Sequence, residues 1–125
     1  MKSITINQLM EFHKKIALKT GGSYGVRDEG LLESALNRAF ATFLGEDLYK
    51  STEKKIAVIT HSLISNHSFV DGNKRIGVST MILLTKLNNI ELKFTQAELI
   101  ELAISIAEGK YSEENIFNWI IDHKM

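Results

Sequence analysis

The chain has 125 residues, of which 44% are apolar and 24% charged, and its formal net charge is zero. This length predicts one domain, residues 1–125, and the neutral balance provides no global field that would draw the protein to nucleic acid or to a membrane. Cysteine is absent, which excludes a disulfide scaffold and a cysteine-ligated zinc site, and no apolar run is long enough for a signal segment or a membrane span, so we expect a cytoplasmic protein.

Two helices are predicted in the first part of the chain. Thr5 opens a capping box, and the apolar stripe that follows predicts a helix that stops at the Gly21-Gly22 pair. His13 lies on this stripe, and we interpret it as a packed core residue. Asp28 is a favourable N-cap for a second helix that runs to Gly45. The predicted core face of this second helix comprises Leu31, Leu32, Ala35, Leu36, Ala39, Phe40 and Phe43.

Helices three and four flank the most polar loop of the chain. Helix three is predicted to follow Ser51. One of its faces is formed by Ile56, Thr60, Leu63, Ile64 and His67. Helix four begins near Asn73, ends at the Asn88-Asn89 pair and is apolar on most sides, which is typical of a central buried helix.

Two more helices complete the predicted fold. The residues from Ile90 to Phe94 alternate between apolar and polar, which indicates a short extended segment. Thr95 opens a second capping box, for a helix that continues through Ala107, and Ser112 caps the last helix. The inward-facing candidates of that helix are Ile116, Phe117, Trp119 and Ile120. The predicted fold class is all-α, a single-domain bundle of about six helices.

The loop between helices three and four carries the candidate chemistry, His67-Ser68-Phe69-Val70-Asp71-Gly72-Asn73-Lys74-Arg75. Within it, His67 is a candidate general base, and Asp71 offers hard oxygen ligands for Mg²⁺. A histidine that closes a helix and an aspartate that caps one are the structural alternatives. Phe69 is interpreted as an apolar anchor that fastens the loop to the core.

The residues that open helix four form a candidate anion site. A helix N-terminus offers unpaired amides and the positive end of the helix dipole, and Gly72 permits close backbone approach to a ligand. Lys74 and Arg75 oppose the dipole in a first helical turn, so their presence favours an anionic ligand, which Arg75 can clamp in bidentate fashion. Together with Asn73 they predict a phosphate cradle beside a base and a metal-binding carboxylate, the elements of a phosphoryl-transfer site.

The loop resembles the signature of the Fic/Doc superfamily, H-x-F-x-D-G-N-x-R. With lysine at position 74, the motif is more similar to the Doc (death-on-curing) branch of that superfamily. The segments 25–28 and 30–36 are similar to the N-terminal half of Doc-type toxins, so the resemblance covers nearly the whole chain. It implies a helical bundle. The chain departs from the family pattern at three positions. Ser68 and Ala39 stand where the family often has proline, and Ile76 stands where it often has threonine. Without the fixed φ of a proline at Ser68, we expect a looser loop.

The resemblance implies a Doc-like toxin of a toxin–antitoxin pair. Such a protein would be a kinase that transfers the γ-phosphoryl group of ATP to a threonine of elongation factor Tu and arrests translation. His67 would be the base, Asp71 the Mg²⁺ ligand, and residues 72–75 the phosphate-binding group, with Lys74 and Arg75 also counted as catalytic. The implied partner is a Phd-like antitoxin that docks as a helix in a groove, and nucleic acid would be contacted only through that antitoxin.

Two alternatives remain open at this point. One is an AMP-transferase like most Fic enzymes, and the other is a non-catalytic module that binds its antitoxin and modulates operon repression. Fic AMP-transferases usually have glycine where this chain has Lys74, which leaves room for the terminal phosphates. A long cationic side chain there fills part of the cradle, so we expect ATP to present its γ-phosphate to His67. The intact motif argues against the non-catalytic module.

Overall fold

The computed structural model describes all 125 residues. Its six helices are α1 Ile6–Thr20, α2 Glu29–Asn37, α3 Thr52–Ser65, α4 Asn73–Leu87, α5 Gln96–Ala107 and α6 Glu113–His123. The only sheet is a two-stranded antiparallel hairpin, β1 Thr42–Phe43 with β2 Glu46–Asp47. The predicted all-α class is therefore confirmed. No helix here combines the length and the apolar character that crossing a bilayer would require.

Five of the six helices begin with the side-chain caps that the sequence predicted. Reciprocal capping boxes open α1 at Thr5, α5 at Thr95 and α6 at Ser112. In α2 the Asp28 carboxylate accepts from the Leu31 amide at 3.0 Å, and Ser51 caps α3 in the same way. Each cap satisfies an amide that the first helical turn leaves without a backbone partner.

The second helix is shorter than the sequence pattern predicted. It ends at Asn37 rather than Gly45, and the next three residues tighten into a 3-10 turn. As a result Phe40 and Phe43, predicted to lie in the core, are 40% and 68% exposed, whereas Ala39 is fully buried.

The hairpin that replaces the end of helix two is held by contacts from elsewhere in the chain. Its two turn residues, Leu44 and Gly45, both have positive φ, 52° and 80°, as type I′ hairpin turns require. Buried Lys55 on α3 donates to the Asp47 carboxylate at 3.1 Å and to the Tyr49 carbonyl. These contacts from α3 favour the hairpin over a helical continuation.

The core is built around α3, which contacts α2, α4, α5 and α6. Helix α4 buries Ile76, Val78, Met81 and Leu84, while Leu87 at its end is 36% exposed. The predicted extended segment forms one antiparallel bridge, Leu92 to Lys124, rather than a strand of a ladder. The candidate loop thus runs between the two helices that form the centre of the fold.

Helices α3 and α4 approach most closely at Gly77. A Cβ at this position would overlap Ile64 Cγ1 and lie 2.8 Å from Ile64 Cδ1. Both residues are buried, and Ile64 is branched at Cβ and cannot move its Cγ1 away freely. Glycine at position 77 therefore sets the distance between α3 and α4, and with it the ends of the loop that joins them.

We predict that Gly77→Ala destabilises the protein by about 1–2 kcal/mol, because overpacking outweighs the roughly 1 kcal/mol that alanine gains in a helix. Ile64→Ala alone should cost about 2–5 kcal/mol through the cavity it leaves. In the double variant the added methyl fills part of that cavity, so the cost should be smaller than the sum of the single costs. Urea unfolding of the four proteins measures this coupling, and strictly additive costs would contradict the packing account.

The C-terminus is fastened by His123. Its Nδ1 lies 2.7 Å from the Trp119 carbonyl oxygen and its Nε2 lies 2.7 Å from Glu98 Oε2. Both partners are acceptors, so both ring nitrogens donate and the imidazole is positively charged. Partial burial lowers the pKa of His123, but the bonds to Glu98 and to Trp119 outweigh it and raise the pKa above 6.5. The bond from His123 also lowers the pKa of Glu98 to about 2.

We predict that this pair stabilises the fold most strongly at mildly acidic pH. The folded-state pKa of His123 is raised, so its contribution is complete below about 6.5 and is lost as pH rises through the folded value. The Glu98 contribution is present above 4.5 and is lost as pH falls towards about 2. The difference in unfolding free energy between wild type and His123→Gln should therefore shrink from mildly acidic to basic pH. A difference that grows with pH would contradict this sign.

Candidate active site

The loop of residues 66–72 joins α3 to α4 and places His67 at its head. Helix α3 ends at Ser65, so His67 lies outside the helix, and its predicted place on the helix-three stripe is wrong. His67 has a φ of 51° and an exposed side chain. Positive φ is uncommon for a residue with a Cβ and costs free energy unless its surroundings enforce it. The imidazole is accessible from solvent.

Phe69 fastens the loop to the core. It is 2% exposed, and its ring stacks on the ring of His13 with centroids 3.8 Å apart and planes 6° apart. The side chain of Asn73 accepts from the Phe69 amide and donates to the Phe69 carbonyl, both at 3.1 Å. The side chain of Asn73, a residue predicted to belong to the phosphate cradle, is therefore engaged within the loop. Its backbone amide remains as the group that could face a phosphate.

Asp71 does not cap α4. The N-cap of α4 is Gly72, with φ 74° and ψ 25°, and no side chain bonds to the first turn. The Asp71 carboxylate is exposed and accepts only a long bond, 3.4 Å, from the Ser23 amide through Oδ2. The capping alternative is therefore not what the structure contains, and the carboxylate oxygens keep lone pairs for another ligand.

The first turn of α4 presents a concentrated positive charge. The amides of Asn73, Lys74 and Arg75 have no backbone acceptor, because the first helical bond at this end runs from Ile76 to Gly72. The Lys74 and Arg75 side chains are exposed, and Arg75 Nη1 donates to Thr20 Oγ1 at 2.9 Å. Free amides, the dipole end and two cations form a site suited to the oxygens of a phosphate chain.

Residues before α2 support the loop in a way that the sequence did not reveal. The Ser68 carbonyl accepts from the Arg27 and Asp28 amides at 2.8 and 3.1 Å, and the Val70 amide donates to the Gly25 carbonyl at 3.1 Å. The segment 25–28, in which Asp28 was predicted to cap the second helix, is thus also the backbone partner of the motif.

Helix α1 and the residues after it supply three more contacts to the site, from His13, Thr20 and Ser23. His13 Nε2 lies 2.7 Å from the Asp71 carbonyl oxygen. A small cleft at this point is lined in part by His13, Gly22, Ser23, Asp71, Gly72 and Arg75. The position of His13 on the apolar stripe indicated burial, but no sequence signal indicated its partner. A separate groove of about 700 Å³ lies at the opposite end of α4 and is lined in part by Thr85, Ile90 and Phe94.

Ser68 occupies a site that suits an apolar or proline side chain better than a hydroxyl. It is completely buried, and its Oγ has no hydrogen-bond partner. Burying a hydroxyl without a partner costs about 1–3 kcal/mol. The main chain of the loop is nevertheless held on both sides of Ser68 by the bonds to the segment 25–28.

We predict that Ser68→Ala leaves the fold intact and raises the unfolding free energy by about 1 kcal/mol, because it removes a polar atom that is buried and unpaired. Ser62→Ala is the matched control: Ser62 is also buried, but its Oγ accepts from Arg38 at 3.3 Å. This control should lose stability. Chemical denaturation of both variants measures the contrast, and a loss of stability in Ser68→Ala comparable to that in Ser62→Ala would contradict the structure at this position.

Comparison with known proteins places the fold and the site in one family. A model described as the Fic/DOC family matches residues 3–85, which include the whole motif. Toxin Doc of Mycolicibacterium smegmatis is 40% identical over 72 residues, which cover 58% of this chain and 55% of that protein. Protein kinase doc of Escherichia phage P1 is 25% identical over 116 residues, 93% of this chain and 90% of that protein. The chain therefore belongs to the Fic/DOC family.

Proposed function

We propose that this chain is a Doc-like toxin that acts as a protein kinase with ATP and Mg²⁺. Its target would be a threonine of elongation factor Tu, so its action in the cytoplasm would arrest translation. The observation that carries the proposal is the start of α4, where three free amides and two exposed cations directly follow the loop that carries His67 and Asp71. The names of the two relatives, a toxin and a protein kinase, support it.

Phosphate binding is the part that the geometry supports best. The amides of Asn73, Lys74 and Arg75 lie in the first turn of α4, at the positive end of the dipole of a helix of 15 residues. Together they form the proposed anion site. Arg75 is steadied by Thr20 and keeps further N–H groups for phosphate oxygens. These groups would hold a triphosphate in position and neutralise part of its negative charge before the reaction begins. Positioning and charge stabilisation of this kind are the main contributions that proteins make to phosphoryl transfer.

Asp71 fits the role of a magnesium ligand. It is the one carboxylate of the motif, and it is exposed and free of any helix cap. Mg²⁺ in such sites commonly takes one or two carboxylates together with substrate phosphates and water. When bound, the ion would neutralise charge on the phosphates. The contribution of this chain is to hold the Asp71 oxygens at the rim of the cradle.

His67 is suited to the proton transfer. Its ring is exposed at the head of the loop, where a threonine hydroxyl of the target can reach it. The imidazole takes the hydroxyl proton as the bond from the threonine oxygen to the γ-phosphorus forms, and the bond from that phosphorus to the bridging oxygen breaks. ADP leaves with the electron pair, and the products are phosphothreonine and a protonated His67 that releases its proton to solvent. General-base assistance of this kind contributes about 10²- to 10⁴-fold.

Lys74 favours transfer of the terminal phosphate. It lies in the first turn of α4, and its side chain is exposed. A flexible cationic chain at this point occupies part of the cradle and adds charge where a phosphate group would otherwise lie. ATP would then bind in the orientation that presents its γ-phosphate to His67. Restraint of the free enzyme would come from a cognate Phd-like antitoxin that docks as a helix in a surface groove.

We predict that His67→Ala lowers phosphoryl transfer by about 10²- to 10⁴-fold and leaves ATP binding unchanged, because the exposed imidazole acts in proton transfer and not in the phosphate cradle. Transfer is measured with labelled ATP in a bacterial lysate, and toxicity is measured as growth arrest on expression. His61→Ala is the matched control, since His61 lies on α3 within the helix and outside the motif. A soluble, folded His67→Ala protein that arrests growth as wild type does would exclude His67 as the base.

A further inference from the structure

We infer that His13 is a positioning residue for the candidate site, acting through the main chain of Asp71. This inference rests on the proposed function for its catalytic meaning, but the contact itself belongs to the fold. His13 is 3% exposed, and its Nε2 lies 2.7 Å from the Asp71 carbonyl oxygen. A carbonyl can only accept, so Nε2 carries a hydrogen and donates it.

The bond to the Asp71 carbonyl fixes the peptide plane between Asp71 and Gly72. A fixed plane here restricts ψ of Asp71 and φ of Gly72, and with them the direction of the Asp71 side chain and the entry of the chain into α4. Gly72 has a φ of 74°, and a Cβ at Gly72 would lie 3.6 Å from His13 Nε2. The imidazole therefore packs against the inside of the turn as well as donating to it.

The other side of the His13 ring holds the turn from a second direction. The ring stacks on Phe69, the buried residue two positions before Asp71, at a centroid distance of 3.8 Å. One side chain of α1 thus combines an apolar contact and a polar contact with the same loop. Neighbouring parts of the chain add to the effect, because the Ser23 amide lies 3.4 Å from Asp71 Oδ2, and a Cβ at Gly22 would lie 3.2 Å from the same oxygen.

A histidine that only fills the core would contribute through stacking alone, and two substitutions separate the possibilities. His13→Phe keeps an aromatic ring over Phe69 and removes the donor. His13→Gln removes the ring but carries an amide nitrogen at about the reach of Nε2, so it can still donate to the Asp71 carbonyl. If His13 positions the turn, the Phe variant should be the functionally impaired one even where the Gln variant is the less stable.

The first measurement is direct binding of ATP by calorimetry, once with Mg²⁺ and once with excess chelator. We expect His13→Phe to weaken Mg²⁺-dependent binding about tenfold, the equivalent of one lost hydrogen bond, and to leave metal-free binding within about twofold. His13→Gln should remain within about threefold of wild type in both conditions. His61→Phe, a histidine of α3 outside the motif, is the control. Equal Mg²⁺-dependent affinity in wild type and His13→Phe would overturn the inference.

The second measurement needs no nucleotide and separates failure of this inference from failure of the proposed function. The amides of Phe69, Val70 and Ile76 are hydrogen-bonded within or next to the loop. In His13→Phe we expect their hydrogen exchange to be about tenfold faster, with exchange in α5 and α6 unchanged, and His13→Gln should restore most of the protection. If wild type binds no ATP, the proposed function fails and this result still decides the role of His13. Equal exchange in His13→Phe and wild type would overturn it.

Discussion

The first turn of α4 leaves the Asn73, Lys74 and Arg75 amides unpaired because Gly72, which has no side chain to offer them, occupies the N-cap position. In each of the other five helices, the N-cap side chain accepts a hydrogen bond from an amide of the first turn. Had Asp71 turned inwards as a cap, its own charge would have filled the candidate anion site, and fewer of its lone pairs would remain for the proposed cation. Positive φ at Gly72 allows the chain to start the helix without that cap.

An uncapped helix start with two cations in its first turn is unfavourable by itself, so the fold must hold it in place. Two long-range elements do so. The segment 25–28 pairs with the backbone of Ser68 and Val70, and α1 reaches the loop through His13 and Arg75's partner Thr20. The close approach of α3 and α4 at Gly77 fixes the span that the loop must cross. The packing around the site thus offsets the free energy that the uncapped helix start costs.

The sequence predicted what depends on neighbouring residues and missed what depends on distant ones. The caps at Thr5, Asp28 and Ser112 are local patterns, and the motif was evident from its residue types. The end of α2 was not evident from the sequence, because the hairpin that follows depends on a contact with buried Lys55. The hairpin also has Leu44 at a turn position with positive φ, where leucine is unusual.

The same limit applies within the candidate site. His13 was expected to be buried, but its bond to Asp71 joins residues 58 positions apart, and no local pattern encodes such a contact. Asn73 was expected in the phosphate cradle, and no local pattern indicated that its side chain would make two bonds to the Phe69 backbone. His67 was expected within a helical stripe and lies beyond the helix end. Residue types thus indicated the candidate chemistry, and the fold shows which of the candidate groups are free of other contacts.

The most direct test of this account is the position of the label that ATP transfers. Wild-type protein is incubated with bacterial lysate and Mg²⁺, once with ATP labelled on the γ-phosphate and once with ATP labelled on the α-phosphate. The account predicts that γ-label appears on a protein of the lysate and that α-label does not, with neither incorporated by His67→Ala. Incorporation of α-label would make the chain an AMP-transferase and contradict the kinase proposal, and incorporation of neither label would contradict phosphoryl transfer at this site.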